Sequence, residues 1–453
     1  MSWKKKDDKP TLSPLEIALR DIAVADGVEG IITVKLRTET YPPTSYFTFF
    51  KFDVTGENKA LCMLVKVAQQ DADLRNKFFV REKYLNEVTF YSQCVPKIRP
   101  ILDKWAEEDP PREVVVQVPS YFGHDSTDGQ EWLAIEDKGP EYVAIRNLED
   151  LDKLHLKAAM QALASFHSAC LAWKSFNPSE FATIARLFTE TEMLRTDDDP
   201  AKDVKTQKIH TALGAANRVC GIHLSGPYSI LIEKMYNSAL VECPTWVSMD
   251  RAEPWSVITH GDCWAKNFLF KYDKNKKITG VAMVDFKCAR AASPVLDVTN
   301  FLLSSGSADC LKDLRPFIEK HKDSMTPKMA DYRKHVRLFG CYGVVASLVH
   351  HYYGVLYPNL DVEEATAKIV RLEDLKSSTD VRSEPVIEKS GGQLPHIVRP
   401  TRSLSVAKSP TKVKSESPKK DGQETSLLSE DATRSSRLRI AMIVRAAHDV
   451  RMI

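Results

Sequence analysis

Two short stretches hold the residue types that phosphate chemistry needs: His260-Gly-Asp-Cys-Trp-Ala-Lys-Asn267, and Asp285-Phe-Lys behind it. Phosphoryl transfer requires a carboxylate to orient and deprotonate the attacking hydroxyl. It also requires hard oxygen ligands for a Mg²⁺ ion that neutralises phosphate charge. Asp262 is the candidate base; Asn267, five positions on, and Asp285 are the candidate metal ligands. Between them, Phe268–Tyr272 and Ile278–Val284 are strand-like and flank the polar turn Asp273–Lys277, so they read as a hairpin. Antiparallel pairing would bring Asn267 beside Asp285. Taken singly, an Asp in a His-Gly-Asp turn caps backbone amides and an Asn is an exposed loop residue. Taken jointly, with the hairpin between them, they point to chemistry.

Such a site needs a strand lysine for the α/β-phosphates and a helix glutamate to hold it. Before residue 68 the chain offers three strand-like runs, IITVKL, SYFTFFKF and ALCMLVKV. Lys66 lies in the third, between Val65 and Val67, where a charge is costly unless paired. Arg75 to Cys94 follows a helical period with Phe78, Phe79, Leu85, Val88 and Tyr91 on its apolar side, and Glu87 on a face able to reach the sheet. Strand-like runs return at Glu113–Val118 and Glu131–Ile135. The passage Ala134-Ile-Glu136-Asp137 has the form of a hinge whose backbone could bond adenine.

The rest of the chain reads as support. Leu154, Ala158, Ala159, Leu163, Phe166, Cys170 and Trp173 recur at helical spacing, and further helix follows to about Val257. Ser293-Pro294 is a helix-start signature for another helical stretch, to about Leu375. Residues 377–433 are rich in Ser, Lys, Pro and Thr without aromatics, and read as disordered. The end regains an amphipathic pattern through Leu438, Met442, Val444, Ala447, Val450 and Ile453, a helix expected to dock on the folded body.

Of 453 residues, 43% are hydrophobic and 27% charged, which excludes collagen-like, coiled-coil and wholly disordered classes. Lys+Arg 63 against Asp+Glu 61 argues against a nucleic-acid binder. Nine scattered cysteines with no Cys-x-x-Cys pair suit a reducing, cytoplasmic setting. No apolar region follows the basic start MSWKKKDDKPT, so a secretory signal is not expected. The longest apolar stretch, near Leu338–Val349, is too short to span a bilayer and reads as a buried helix.

HGDCWAKNFLF, MVDFKCAR and SPVLDVTNFLLSS, with LVKV around Lys66, NEVTFY around Glu87, LAIEDKG and LHLKAAMQALASFH, resemble the ecdysteroid-kinase-like (CHK kinase-like) family. That family is related to the aminoglycoside and choline kinases. The resemblance covers roughly residues 15–375 plus the last helix. It implies an α+β, two-lobed protein-kinase-like fold: a β-rich nucleotide-binding lobe to residue 137 and a helical catalytic and substrate lobe over 138–376. The 377–433 insertion and a final helix, 434–453, complete it. It implies ATP- and Mg²⁺-dependent phosphorylation of a hydroxyl on an ecdysteroid-like or other small molecule. Asp262 matches the base, Asn267 and Asp285 the metal ligands, Lys66 and Glu87 the ion pair; Asp297 matches a support of the catalytic loop.

Three departures stand out. The family usually has a glycine-containing segment between the first two strands, whereas Thr38–Tyr46 here holds Pro42 and Pro43 and no glycine. Lys266 replaces a common Asn and Lys287 a common Gln. They keep open a second reading, a catalytically weak pseudokinase or ligand-binding protein. A third, a metal-dependent hydrolase using His260, Asp262 and Asp285, lacks further ligands nearby. His155, His167, His350 and His351 read as helix-packing or surface residues. In the tail, Arg399–Lys420 carries seven Lys/Arg and one acidic residue. It is read as a solvated linker, or as a segment that a regulatory kinase modifies at Ser405, Ser409 or Ser417.

Overall fold

The computed structural model describes residues 13–40, 46–107, 114–145, 151–194, 203–224, 226–307, 309–312, 327–351 and 430–449. Residues 41–45, with Pro42 and Pro43, lie outside these, as do 352–429 with the three tail serines, and Val450 and Ile453.

The chain opens with α1 (Pro14–Ala25), started by a capping box in which Ser13 and Glu16 bond each other's backbone amides. Strands β1 (Thr33–Thr40), β2 (Phe47–Thr55) and β3 (Ala60–Ala68) follow as an antiparallel meander. After helices α2 (Ala72–Phe78), α3 (Val80–Thr89) and α4 (Val95–Ala106) come β4 (Val115–Gln117), β5 (Tyr121–Asp125) and β6 (Trp132–Glu136). The first sheet runs β1-β2-β3-β6-β5. Lys66 therefore sits on its central strand, between Phe49 and Leu133. Leu19 and Ala23 of α1 pack with Phe52, Val54, Met63, Val65 and Ala134, covering one face.

The helix expected over Arg75–Cys94 is divided. Phe79 takes a left-handed conformation (φ 55°) between α2 and α3, and Phe90–Cys94 forms a π-turn leading into α4.

A second sheet has the order β4-β10-β9-β7, from β7 (Val143–Ala144), β9 (Phe268–Tyr272) and β10 (Ile278–Met283), with β4 parallel to β10. The expected hairpin is β9–β10, closed by Asp273 N–H donating to the Lys277 carbonyl. Helix α5 (Lys153–Phe176) buries Ala158, Ala159, Leu163, Phe166, Cys170 and Trp173 in the main core, while Leu154 is exposed. Helices α6 (Pro178–Ala185), α7 (Val204–His223), α8 (Gly226–Trp246) and α9 (Met249–Ala252) follow, and β8 (Val257–Thr259) pairs with β11 (Arg290–Ala292).

A separate helical core joins α7, α8, α10 (Val295–Ser305), the helix Pro327–Val349 and the C-terminal helix Glu430–Asp449. The last helix docks on the helical core: Val444 and Ala447 are buried as its pattern implies and Met442 packs beside them, joined by Ile440, Ala441 and Ile443, while Leu438 is exposed. Arg439 anchors it to the Leu303 and Gly306 carbonyls at the end of α10. A mixed α+β chain with its five-stranded sheet first and its helices later is compatible with a kinase-like fold.

Candidate active site

Local sequence shapes the loop between β8 and β9. Gly261 has φ +82°, and a Cβ there would lie 1.8 Å from the Cys288 carbonyl oxygen, so only glycine fits. The turn is clamped from α10: the Asp297 carboxylate accepts from His260 N–H (2.7 Å), Gly261 N–H (3.0 Å) and the His167 ring (2.9 Å). Tyr342 Oη donates to the Gly261 carbonyl at 3.1 Å. Asp262 is thereby aimed by groups that belong to other elements.

The hairpin register does what its sequence promised. Met283 pairs with Phe268, and Val284 N–H donates to the Asn267 carbonyl at 3.1 Å, which brings Asn267 beside the residue preceding Asp285. Asn267 Nδ2 donates to the Asp262 carbonyl (2.8 Å) and to Asp262 Oδ2 (3.2 Å). Its amide oxygen accordingly faces the other way. Asp285 is held with φ +71°, a conformation that costs energy outside glycine and persists where surroundings enforce it. The next residue supplies the enforcement: Phe286 is buried, stacked on Phe90 at 3.6 Å between ring centroids, with Tyr91, Phe166 and His260 around it.

Lys66 joins the two halves. Its Nζ lies 2.6 Å from Glu87 Oε1 and 2.9 Å from Asp285 Oδ1, with only 3% of its side chain exposed. Burial works against the ammonium, but Asp285 and Glu87 outweigh it and raise its pKa. Burial pushes the Glu87 carboxyl up, against the pull of Lys66. For Asp285 the balance reverses: burial is overcome by Lys287 and Lys66, which hold the carboxyl far below the usual range. Asp262 behaves likewise, burial losing to Lys287 and the hydrogen bond from His350.

One residue of this cluster escaped the sequence reading as functional, and the reach of a second was not legible there. His350, expected to be a packing or surface residue, places Nε2 2.8 Å from Asp262 Oδ1 and Nδ1 3.2 Å from Asn300 Oδ1. Its ring stacks on Trp264 at 5.0 Å. It arrives there because Gly343 lets the helix Pro327–Val349 press on α10, where a Cβ would meet Thr299 Oγ1 at 2.1 Å. The glycines inside that apolar run were the available signal. Lys287 was noted as a departure, but not its reach: its Nζ contacts both Asp262 Oδ2 (3.0 Å) and Asp285 Oδ2.

Glu136 and Asp137 stand apart from this cluster. Glu136 accepts from Ser120 and Lys138, and Asp137 from Arg37 (2.6 Å) and Lys51 (3.0 Å). Their N–H groups donate to the Ser120 and Cys62 carbonyls. They line a cleft of about 980 Å³ with Lys138 and Tyr142.

Asp262, Asn267, Asp285 and Lys287 instead open on a cavity of about 320 Å³. Phe78, Phe79, Met193, Ile209, Trp264 and Val349 give it apolar walls. The Lys83–Glu192 pair (2.8 Å) closes one side; there burial yields to Lys83, and the glutamate pKa falls to about 2. Among the described residues no three His, Cys, Asp or Glu side chains converge to cage a metal. The donors present, an amide oxygen and a carboxylate, fit a Mg²⁺ ion that keeps water and phosphate ligands.

The model of the ecdysteroid kinase-like family matches residues 44–329, more than half of the chain. The chain belongs to the ecdysteroid kinase-like family. Membership points to a kinase-like phosphotransferase acting on small molecules. No curated protein matches the chain. All nine cysteines are free thiols, and no helix among the described residues is long and apolar enough to cross a membrane.

Proposed function

We propose that the chain is an ATP- and Mg²⁺-dependent kinase that phosphorylates a hydroxyl of an ecdysteroid-like or other hydroxylated small molecule. The reading gives it two lobes with the nucleotide between them, working in the cytoplasm. The observation that carries it is that Asp262, Asn267 and Asp285 line one cavity and that Lys66, paired with Glu87, reaches Asp285 from 219 residues away.

In this reading Lys66 grips the α/β-phosphates and Glu87 keeps its ammonium in place. Adenine lies against the carbonyls of Glu136 and Asp137. Asn267 and Asp285 hold the Mg²⁺, whose contribution when bound is to neutralise charge on the β- and γ-phosphates. The acceptor enters the cavity and its hydroxyl donates to Asp262. As the oxygen–γ-phosphorus bond forms and the bond to ADP breaks, the proton passes to Asp262. Positioning and fixed charge do the catalysis, without a covalent intermediate.

Phe78, Phe79, Met193 and Ile209 offer a hydrocarbon portion of the acceptor a place to lie, while Lys83, Lys205, Lys208 and Lys266 on the same walls suit phosphate and hydroxyl oxygens. The test is an ATP-consumption screen of purified protein against hydroxylated steroids and plant-derived alcohols, with Asp262→Asn as control. Turnover that needs Asp262 is expected for at least one steroid-like alcohol; turnover unchanged in the variant would rule the mechanism out. The second reading, a catalytically weak pseudokinase or small-ligand-binding protein with the same fold, is favoured by Lys287 already touching both carboxylates. It predicts no thermal shift with Mg·ATP, so a saturable shift counts against it.

A further inference from the structure

Lys287 has no part in the scheme above, yet its ammonium occupies the middle of the cluster. The four carboxylate oxygens are each engaged. Asp285 Oδ1 faces Lys66 and Asp285 Oδ2 faces Lys287. Asp262 Oδ2 faces Lys287 and Asn267, and Asp262 Oδ1 faces His350. Among the described residues Lys287 is the one group that touches both carboxylates, and its side chain is only 15% exposed.

The charge balance follows. Lys66 and Lys287 against Glu87, Asp262 and Asp285 leave one net negative charge. Without Lys287 there would be two, the amount that a divalent ion neutralises. Kinases that hold two Mg²⁺ ions use the aspartate and asparagine equivalent in role to Asp285 and Asn267. An ammonium is a compact point charge with three donors and no demand for octahedral ligands. Two of those donors are accounted for by Asp262 and Asp285, and the third is available to a phosphate oxygen in the cavity that Lys287 lines.

We propose that Lys287 is a resident cation standing in for the second divalent ion, so that this chain binds its nucleotide with one divalent ion rather than two. The inference rests on the kinase reading. It turns the departure at position 287 from a defect into a substitution of one cation for another. It also gives Asp262 a fixed partner, 3.0 Å from its Oδ2.

The test counts Mn²⁺ by electron paramagnetic resonance on the full chain saturated with a non-hydrolysable ATP analogue, with analogue binding followed by calorimetry. Wild type is expected to hold one Mn²⁺ per bound analogue. Lys287→Gln should hold two, the second at least about tenfold tighter than any second ion on wild type, because a charge a few ångströms away has been removed. Lys287→Arg, which keeps the charge, should stay near one. Two equally tight Mn²⁺ ions on wild type overturn the inference alone, and that count decides the matter even if Lys287→Gln does not fold. A Lys287→Gln protein that folds, binds the analogue and still takes one Mn²⁺ also overturns it. Failure of wild type to bind the analogue at all removes the kinase reading, and this inference with it.

Discussion

Glu131 and Asp285 are both carboxylates gripped by two cations, and they sit in very different company. Glu131 is fully buried and takes both Nη1 and Nη2 of Arg75 (3.0 and 2.5 Å) and Nη1 of Arg81 (2.8 Å). Burial pushes its carboxyl up, but the Arg75 and Arg81 bonds win and bring it to about 2. Asp128 bonds Arg75 as well, so two guanidinium groups meet two carboxylates. The Asp285 cluster has three carboxylates for two lysines, a backbone at φ +71° and a wall of the cavity. Burial of an ion pair thus marks neither region as functional. Unmatched charge, a conformation enforced by packing and an opening to solvent-sized space separate the second from the first.

The contrast can be broken first from the catalytic side. Asp262→Asn is expected to lower kcat about 10²- to 10⁴-fold while leaving the melting temperature nearly unchanged. A comparable loss of stability with normal turnover would make Asp262 a structural residue. From the other side, Glu131→Gln strands Arg75 and Arg81 without their charge partner. Urea unfolding should then show a loss of about 3–5 kcal/mol, while the folded variant binds Mg·ATP as wild type does. A variant as stable as wild type but impaired in nucleotide binding would put Glu131 among the functional residues.

A smaller effect sharpens the role of His350. Removing its bond to Asp262 in His350→Ala should cost about 10- to 100-fold in kcat, through misplacement of the base, with KM for ATP little changed. An equal loss in both parameters would point to collapse of the helix end instead. The mildest test is acid. Arg75 and Arg81 hold Glu131, and Lys83 holds Glu192, at about 2 in the folded chain, against 4.5 for an ordinary glutamate. A depressed carboxylate stabilises above its unfolded value, and that contribution is lost as pH falls through the folded one. The urea midpoint attributable to these two groups should hold from pH 7 to 5 and decline from about 4.5 toward 2. In Glu131→Gln the decline should be shallower; an identical slope would exclude Glu131 as a contributor.

Which parts could be read in advance follows from sequence separation. The β9–β10 hairpin was legible because strand, turn and strand are contiguous, and with it came the approach of Asn267 to Asp285. Lys66 was legible because a charge inside an apolar strand demands a partner. Helix α1 was missed although Ser13-Pro14-x-Glu16 announces it, and β5 because Gly123 and His124 interrupt its alternation. The three-residue strands β8 and β11 are too short to carry a period. The C-terminal helix was legible, with Val444 and Ala447 on its buried face, whereas the burial of Ile440, Ala441 and Ile443 was set by α7, α10 and the helix Pro327–Val349.

By itself the sequence determined the strand and helix order near the site, the family, and the chemical types of Asp262, Asn267, Asp285, Lys66 and Glu87, since periodicity, turn residues and motif spacing are local properties. Only the folded chain decided that Lys287 reaches both aspartates, that His350 arrives 88 positions later to hold Asp262, and that aromatic side chains and lysines together line the space before them. Those outcomes depend on how close two helices can pack and where a long side chain finds its counter-charge. Such terms arise between residues far apart in the chain and leave no period along it.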